Sequence, residues 1–204
     1  TQKPLIISTG LASADDIARA IEAVNDVGND QLIILHCVSA YPASPSDYNL
    51  RTMTDKQARF KSLVGLSDHT ISNTTAVASV CLGSVFIEKH FTLDRHGGGP
   101  DDSFSLEPDD LRNLVEETRV AWDAMGEVDY DLKRGETGNQ QFRRSLYFVS
   151  DLSKGSVIGE ADIKSVRPGH GLPAFEYRNV VGRTLTRDAK KHTPVTEGHI
   201  RLVD

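Results

Sequence analysis

The sequence predicts an α/β fold: a parallel sheet of four strand–helix units, followed by a small, mostly β domain. Three features carry that reading. Over residues 1–126, short apolar runs alternate with segments whose apolar residues recur at helical spacing, the pattern of successive βα units in a parallel sheet. Each apolar run ends in polar residues bearing hydroxyl, imidazole or ammonium groups, as buried strands do where they lead into their C-terminal loops. Beyond residue 126 the composition turns polar, then breaks into short β-type runs separated by turn residues.

The first strand is Leu5-Ile6-Ile7, closing at Ser8-Thr9-Gly10. Ser13 is placed to cap a helix with Ile17, Ala20, Ile21 and Val24 on one face, and Gly28 to stop it. Residues 32–35 form the second strand, which ends at His36-Cys37-Val38-Ser39-Ala40-Tyr41-Pro42; a weaker helix over 50–61 follows through Leu50, Met53 and Phe60. Residues 63–66 are the third strand, 72–82 its helix and 84–89 the fourth strand. After the loop His96-Gly97-Gly98-Gly99-Pro100-Asp101, a last helix starts near Pro108, with Asp109 and Asp110 favourable at its positive end. Its face is Leu111, Leu114, Val115, Thr118, Trp122 and Met125, and Gly126 ends it. Four such units are half of an eight-stranded barrel, which needs about 250 residues; a small doubly wound sheet fits the same pattern. Residues 127–142 read as a linker. Residues 143–204 read as a β domain with runs at 145–149, 157–158, 163–167, 180–181 and Val195, its core modest for its size.

Composition bounds the function. With 38% apolar and 25% charged residues the chain is a soluble globular protein, and no apolar run approaches the ~18 residues that span a bilayer. Nothing resembles a signal peptide, and the chain starts at Thr1 on the edge of a strand, as a piece of a longer polypeptide would. A net charge of −6 argues against nucleic-acid and anionic-membrane partners. Cys37 and Cys81 lack CxxC spacing and read as reduced core thiols of a cytoplasmic protein.

The candidate site follows from strand order. Gly65-Leu66-Ser67-Asp68-His69-Thr70 and Ile87-Glu88-Lys89-His90-Phe91-Thr92 each place a His just past a strand. Successive parallel strands lie side by side, so His69 and His90 can reach one point, as a metal or anion site requires. Two neutral imidazoles suit Mn²⁺, Fe²⁺, Co²⁺ or Zn²⁺. Ser8 and Thr9, Ser39 and Tyr41, Ser67 and His69, and Lys89 and His90 fall in one arc that could cradle a phosphate or carboxylate, though each Ser alone suits a turn. Asp101 is a third ligand, a proton acceptor or a turn residue. Asp68 and Glu88 are placed to steady the histidines rather than to bind metal. His96, His170, His192 and His199 read as exposed loop residues. In the second domain Arg167, before Pro168-Gly169-His170-Gly171, offers a fork of donors to an acyl or carboxylate group, and Phe142-Arg143-Arg144-Ser145 reads as a docking surface. Two other readings stay open: a pyruvate aldolase with Lys89 as Schiff-base lysine, and a non-catalytic carbohydrate-binding module working through Arg167.

The motifs Lys3-Pro4-Leu5-Ile6-Ile7-Ser8-Thr9-Gly10, His36 to Pro42, Leu66-Ser67-Asp68-His69-Thr70, Glu88-Lys89-His90-Phe91-Thr92-Leu93-Asp94, Gly99-Pro100-Asp101, Ser105-Leu106-Glu107-Pro108 and Arg167 to Gly171 occur in that order. With them the chain resembles the sialic acid (nonulosonic acid) synthase family over essentially its whole length. The resemblance implies the C-terminal half, strands 5–8, of a (β/α)₈ TIM barrel followed by a β-clip SAF (antifreeze-like) domain. It also implies the condensation of phosphoenolpyruvate with an N-acetylated amino sugar to a nonulosonic acid and phosphate. In that scheme C3 of phosphoenolpyruvate attacks an open-chain aldehyde polarised by a divalent metal, water adds at C2, and phosphate leaves by C–O cleavage. His69 and His90 match the metal pair, usually for Mn²⁺, with Mg²⁺ or Co²⁺ as alternatives. Ser8 and Ser67 match phosphate-side contacts, Ser39 falls where the N-acetylneuraminate-making members often carry Asn, and Tyr41 and Asp101 match sugar-side residues. Arg167 matches an arginine that one subunit of a domain-exchanged homodimer lends to its partner's site. Ser39, the 98–108 phrase and the 142–147 phrase look most like pseudaminic acid synthases, which act on a 6-deoxy-2,4-diacetamido hexose; N-acetylneuraminate and legionaminate synthases are the alternatives. The family's first half-barrel, with its acidic residue and phosphate-binding lysines, is absent from the sequence, so the chain alone is expected to be inactive.

Overall fold

Strands β1 (Leu5–Ser8), β2 (Leu32–Cys37), β3 (Leu63–Asp68) and β4 (Ile87–Lys89) pair in parallel in the order β1-β2-β3-β4. They belong to a computed structural model that describes residues 2–200. The chain divides into two units, Thr1–Val128 and Asp129–Asp204. Helices α1 (Ala14–Asn25), α2 (Arg51–Phe60), α3 (Thr74–Cys81) and α4 (Pro108–Met125) follow the four strands in turn. Ile17, Met53, Ala76 and Leu114, one from each helix, join Ile34, Val64 and Leu66 in a single core. Sequential strands with every helix packed on the same sheet face make half of a (β/α)₈ barrel. A doubly wound sheet would reverse its strand order and carry helices on both faces.

Local chemistry sets these elements. Ser13 Oγ accepts from Asp16 N at 3.2 Å while Asp16 Oδ2 accepts from Ser13 N at 2.9 Å, a reciprocal cap that starts α1. The helix stops at Asn25, before Gly28, whose φ of +71° lets its N–H return to the Asn25 carbonyl at 2.8 Å. A Cβ on Gly65 would lie 2.5 Å from both Leu35 Cδ2 and the Phe86 carbonyl, so only glycine lets β3 pass between its neighbours. The predicted face of α4 is buried only at Leu114; Leu111, Val115, Trp122 and Met125 are exposed. The cause is position, since α4 packs mainly on α3 and flanks β4, an edge strand with one neighbour.

Lys56 departs from its helix's surface pattern. It is buried on α2 and its Nζ donates to Thr9 Oγ1 at 2.6 Å. Burial pulls its pKa from 10.5 down to about 8. The unfolded chain therefore binds the proton more tightly, so this group depresses stability below pH 8 and relieves that penalty as pH rises toward 10.5. Urea midpoints between pH 7.5 and 10.5 are expected to favour Lys56→Met over wild type, with the gap closing by up to about 1.4 kcal/mol per pH unit across this window. A pH-independent gap would contradict the burial assignment.

In the second unit, β5 (Ser145–Phe148) pairs antiparallel with β6 (Ile163–Val166) over a core of Leu146, Phe148, Ile158, Ile163, Leu172, Val180, Leu185, Val195 and Ile200. The runs at Val157 and Val195 do not form full strands: Val157 makes an isolated bridge to Thr184, and Val195 exchanges backbone bonds with Leu146 and Leu172. Val180 instead ends a short helix, α5 (Tyr177–Val180), because the turn Ala174–Glu176 leads the chain into helical geometry. The stretch read as a linker holds a 3₁₀ helix, Arg134–Phe142.

Candidate functional site

Strand alternation sorts the polar residues at the C-terminal ends of the sheet. Ile7, Ile34, Leu66 and Ile87 pack toward the helices, so Thr9, His36, Asp68 and Lys89, two residues further on, face the same way. Ser8, Ser67 and Glu88 face the opposite side, where the barrel lumen lies. Lys89 is therefore a structural group and not part of the phosphate arc. Its Nζ reaches Asp68 Oδ2 at 2.9 Å and the carbonyls of Thr70 and Ser72 at 2.7 and 3.1 Å. All three donors are used and the pair is almost wholly buried, which leaves no free amine for a Schiff base.

On the lumen side, the His69 and His90 rings lie 5.3 Å apart at the ends of adjacent strands. Tyr41 packs over His69 at 4.3 Å and beside His90 at 5.6 Å, and Phe104 closes against His90 at 5.1 Å. His69 Nδ1 donates to the Val38 carbonyl at 2.7 Å. A carbonyl only accepts, so that bond fixes the proton on Nδ1 and leaves Nε2 as a bare lone pair, the state of a metal-ligating imidazole. Asp101 Oδ2 stands 3.5 Å from His90 Nδ1 and can orient that ring. The donor set fits a divalent cation with two protein nitrogens; no group of three His, Cys, Asp or Glu side chains placed to hold a metal occurs among the described residues.

Tyr48 holds this arrangement from beneath. Its fully buried hydroxyl accepts from His69 N at 2.7 Å and donates to the Ser67 carbonyl at 3.2 Å. Burial drives the phenol well above its ordinary range and keeps it neutral. Tyr48→Phe would strand the buried backbone N–H of His69. It is expected to cost about 1–3 kcal/mol of stability and to weaken metal affinity about 10- to 100-fold, as loss of a supporting hydrogen bond does. Urea unfolding and metal titration of the variant check both.

A model of the NeuB family matches residues 1–130, and a model of the SAF domain matches residues 143–201. The chain belongs to the NeuB family. The pseudaminic acid synthase of Campylobacter jejuni strain 81-176 is 36% identical over 98% of this chain, and the N,N'-diacetyllegionaminic acid synthase of Legionella pneumophila is 37% identical over 97%. The chain covers 58% of the first relative and 57% of the second, little more than half their lengths. The crystal structure of the Bacillus subtilis spore coat polysaccharide biosynthesis protein SpsE superimposes with a TM-score of 0.58 at 31% identity, covering 100% of this chain and 62% of that one.

In this NeuB-family chain His69, His90, Tyr41 and Asp101 form one cluster. Ser67 is buried and donates to Glu88 Oε1 at 2.9 Å. Ser8, the last residue of β1, and Ser39, just past β2, are exposed, and a Cβ on Gly10 would lie 2.1 Å from Ser39 Oγ, so glycine makes room for that side chain. Arg167 is exposed just past β6 in the second unit. Tyr48, Phe104 and the Val38 carbonyl were missed from sequence. Tyr48 and Phe104 lie in irregular loops with no periodic signal, and a carbonyl's role depends only on the chain's path. Two readings are corrected: Cys81, the last residue of α3, is exposed, and Cys37 is only half-buried. His199 is buried, its Nδ1 accepting from Thr196 N.

Proposed function

We propose that this chain supplies the His-bearing half-barrel and the SAF domain of a nonulosonic acid synthase. The reaction joins phosphoenolpyruvate to an N-acetylated amino sugar and releases phosphate. The observation that carries this reading is the His69–His90 pair, with its fixed tautomer, in a chain whose relatives are named as synthases of pseudaminic and legionaminic acids. A divalent ion at His69 Nε2 and His90, most simply Mn²⁺, would supply Lewis acidity toward the sugar carbonyl. The chain's own groups do the positioning. The Val38 carbonyl and Tyr48 lock His69, Asp101 steers His90, and the Tyr41 and Phe104 rings shield the imidazoles from water. Ser8 offers its hydroxyl to the phosphate side, and Ser67 would turn its O–H from Glu88 to do the same, stabilising charge as the phosphate leaves.

The sugar we favour is a 6-deoxy-2,4-diacetamido hexose, making the product pseudaminic acid, on the strength of Ser39 and the 98–108 and 142–147 phrases. N-acetylneuraminate and legionaminate synthesis are the alternatives. Arg167 is proposed to reach the sugar's acetamido group across a domain-exchanged homodimer in the cytoplasm; among the described residues no helix is long and apolar enough to cross a membrane. The test is phosphate release from phosphoenolpyruvate with Mn²⁺ and either the diacetamido hexoses or N-acetylmannosamine. It is run on the longer synthase containing this chain and on the 204-residue chain alone. We expect sugar-dependent release from the former with a diacetamido hexose, and none from the latter. Release only with N-acetylmannosamine would overturn the sugar, turnover by the chain alone would overturn its dependence on a longer protein, and no release with any sugar would overturn the synthase.

A further inference from the structure

A second polar cluster lies on the helix side of the sheet, away from the imidazole pair. Thr9, His36, Thr52, Asp55, Lys56 and Arg59 are the polar and charged lining, beside Cys37 and apolar side chains, of a cavity of about 200 Å³ between α1 and α2. Lys56 is more than nine-tenths buried, yet its ammonium has one hydrogen-bond partner among the described residues, the Thr9 hydroxyl, which in turn donates to the Leu35 carbonyl at 2.7 Å. No carboxylate there lies within ion-pair distance of it. The neighbouring Asp55 is taken by Arg59, whose Nε stands 3.1 Å from Oδ2. His36 is also more than nine-tenths buried; its Nε2 donates to the Tyr48 carbonyl at 2.5 Å, which leaves Nδ1 a bare acceptor with no partner. A buried cation without a counter-charge and a buried lone pair without a donor are both costly, and one cavity borders both residues.

We propose that this cavity is a binding site for one small oxyanion, ion-paired to Lys56 and separate from the site at His69 and His90. The volume is below the 300–1,000 Å³ typical of pockets for larger ligands, and suits a phosphate-sized anion with a few waters. An oxyanion such as hydrogen phosphate carries oxygens for the two spare Lys56 donors.

Inorganic phosphate is the probe. Calorimetric titration up to about 20 mM phosphate, with melting curves alongside, reads both affinity and ligand stabilisation. Lys56→Met, an apolar replacement of similar length, is expected to weaken phosphate binding at least about tenfold and to abolish the phosphate-dependent rise in Tm, while melting cooperatively without phosphate. His170→Ala, at an exposed loop position of the second unit, is expected to leave that binding unchanged. If Lys56→Met does not fold, Lys56→Gln, neutral but polar, serves the same comparison. Phosphate binding that survives the loss of Lys56, that is equally lost in His170→Ala, or that is absent from the wild-type chain would each overturn the proposal.

Discussion

Replacing His69 with alanine is expected to abolish Mn²⁺ binding at the first unit and, in the longer synthase, to lower sugar-dependent phosphate release by more than about a hundredfold. The magnitude follows from hierarchy. Loss of a group that merely orients a ligand costs 10- to 100-fold, and His69 is the proposed ligand itself, with its Nδ1 proton anchored on Val38 so that Nε2 is always presented. His170→Ala, at an exposed loop position of the second unit, is the matched control and should bind metal as wild type does. Calorimetric titration with Mn²⁺ and the phosphate-release assay read the two effects independently. The same variant separates catalysis from carbohydrate binding. A binding module would tolerate His69→Ala and fail with Arg167→Ala, whereas the synthase loses metal and turnover with the first substitution.

Lys89→Met is expected to be the most destabilising conservative change in the first unit, at about 3–5 kcal/mol. The side chains of Lys89 and Asp68 are 3% and 0% exposed, so removing the ammonium leaves a carboxylate buried with only the Thr70 N–H for company. It also removes the ammonium that the carbonyls of Thr70 and Ser72 accept from, in the loop that follows His69, so metal affinity should fall along with stability. Urea unfolding checks the first effect. The double variant Asp68→Leu/Lys89→Met should recover much of the loss, because an apolar pair of similar volume removes both charges together. A loss below about 1 kcal/mol for the single variant would mean that the pair is solvated and holds nothing in place.

The architecture was legible because its signals are local and repeat. Apolar runs of strand length, a Ser13 cap and a Pro108 start recur in register, and the structure follows them to within a few residues. The meeting of His69 and His90 was legible for a topological reason, since consecutive strands of a sequential parallel sheet are neighbours. What stayed hidden depends on which way a side chain turns once the chain is folded. Lys89 and Thr9 sit at the right strand ends for the arc but point to the helices, a parity that follows from Ile87 and Ile7 only when the core is known. Lys56 carries no mark of burial in the sequence, yet it is buried with its Nζ on Thr9. The α4 face reads as buried, but beside an edge strand it finds little to pack on. Val180 has the β-branched character of a strand residue, and the preceding turn carries it into a helix.

The imidazole pair is best tested by pulsed electron paramagnetic resonance of Mn²⁺ bound to the chain, with histidine uniformly ¹⁵N-labelled. Two inequivalent ¹⁵N couplings are expected from the wild-type chain, and no histidine-coupled Mn²⁺ from His69→Ala. Bound Mn²⁺ with no histidine coupling, or couplings that survive the substitution, would place the metal elsewhere and remove the basis for catalysis at these two residues.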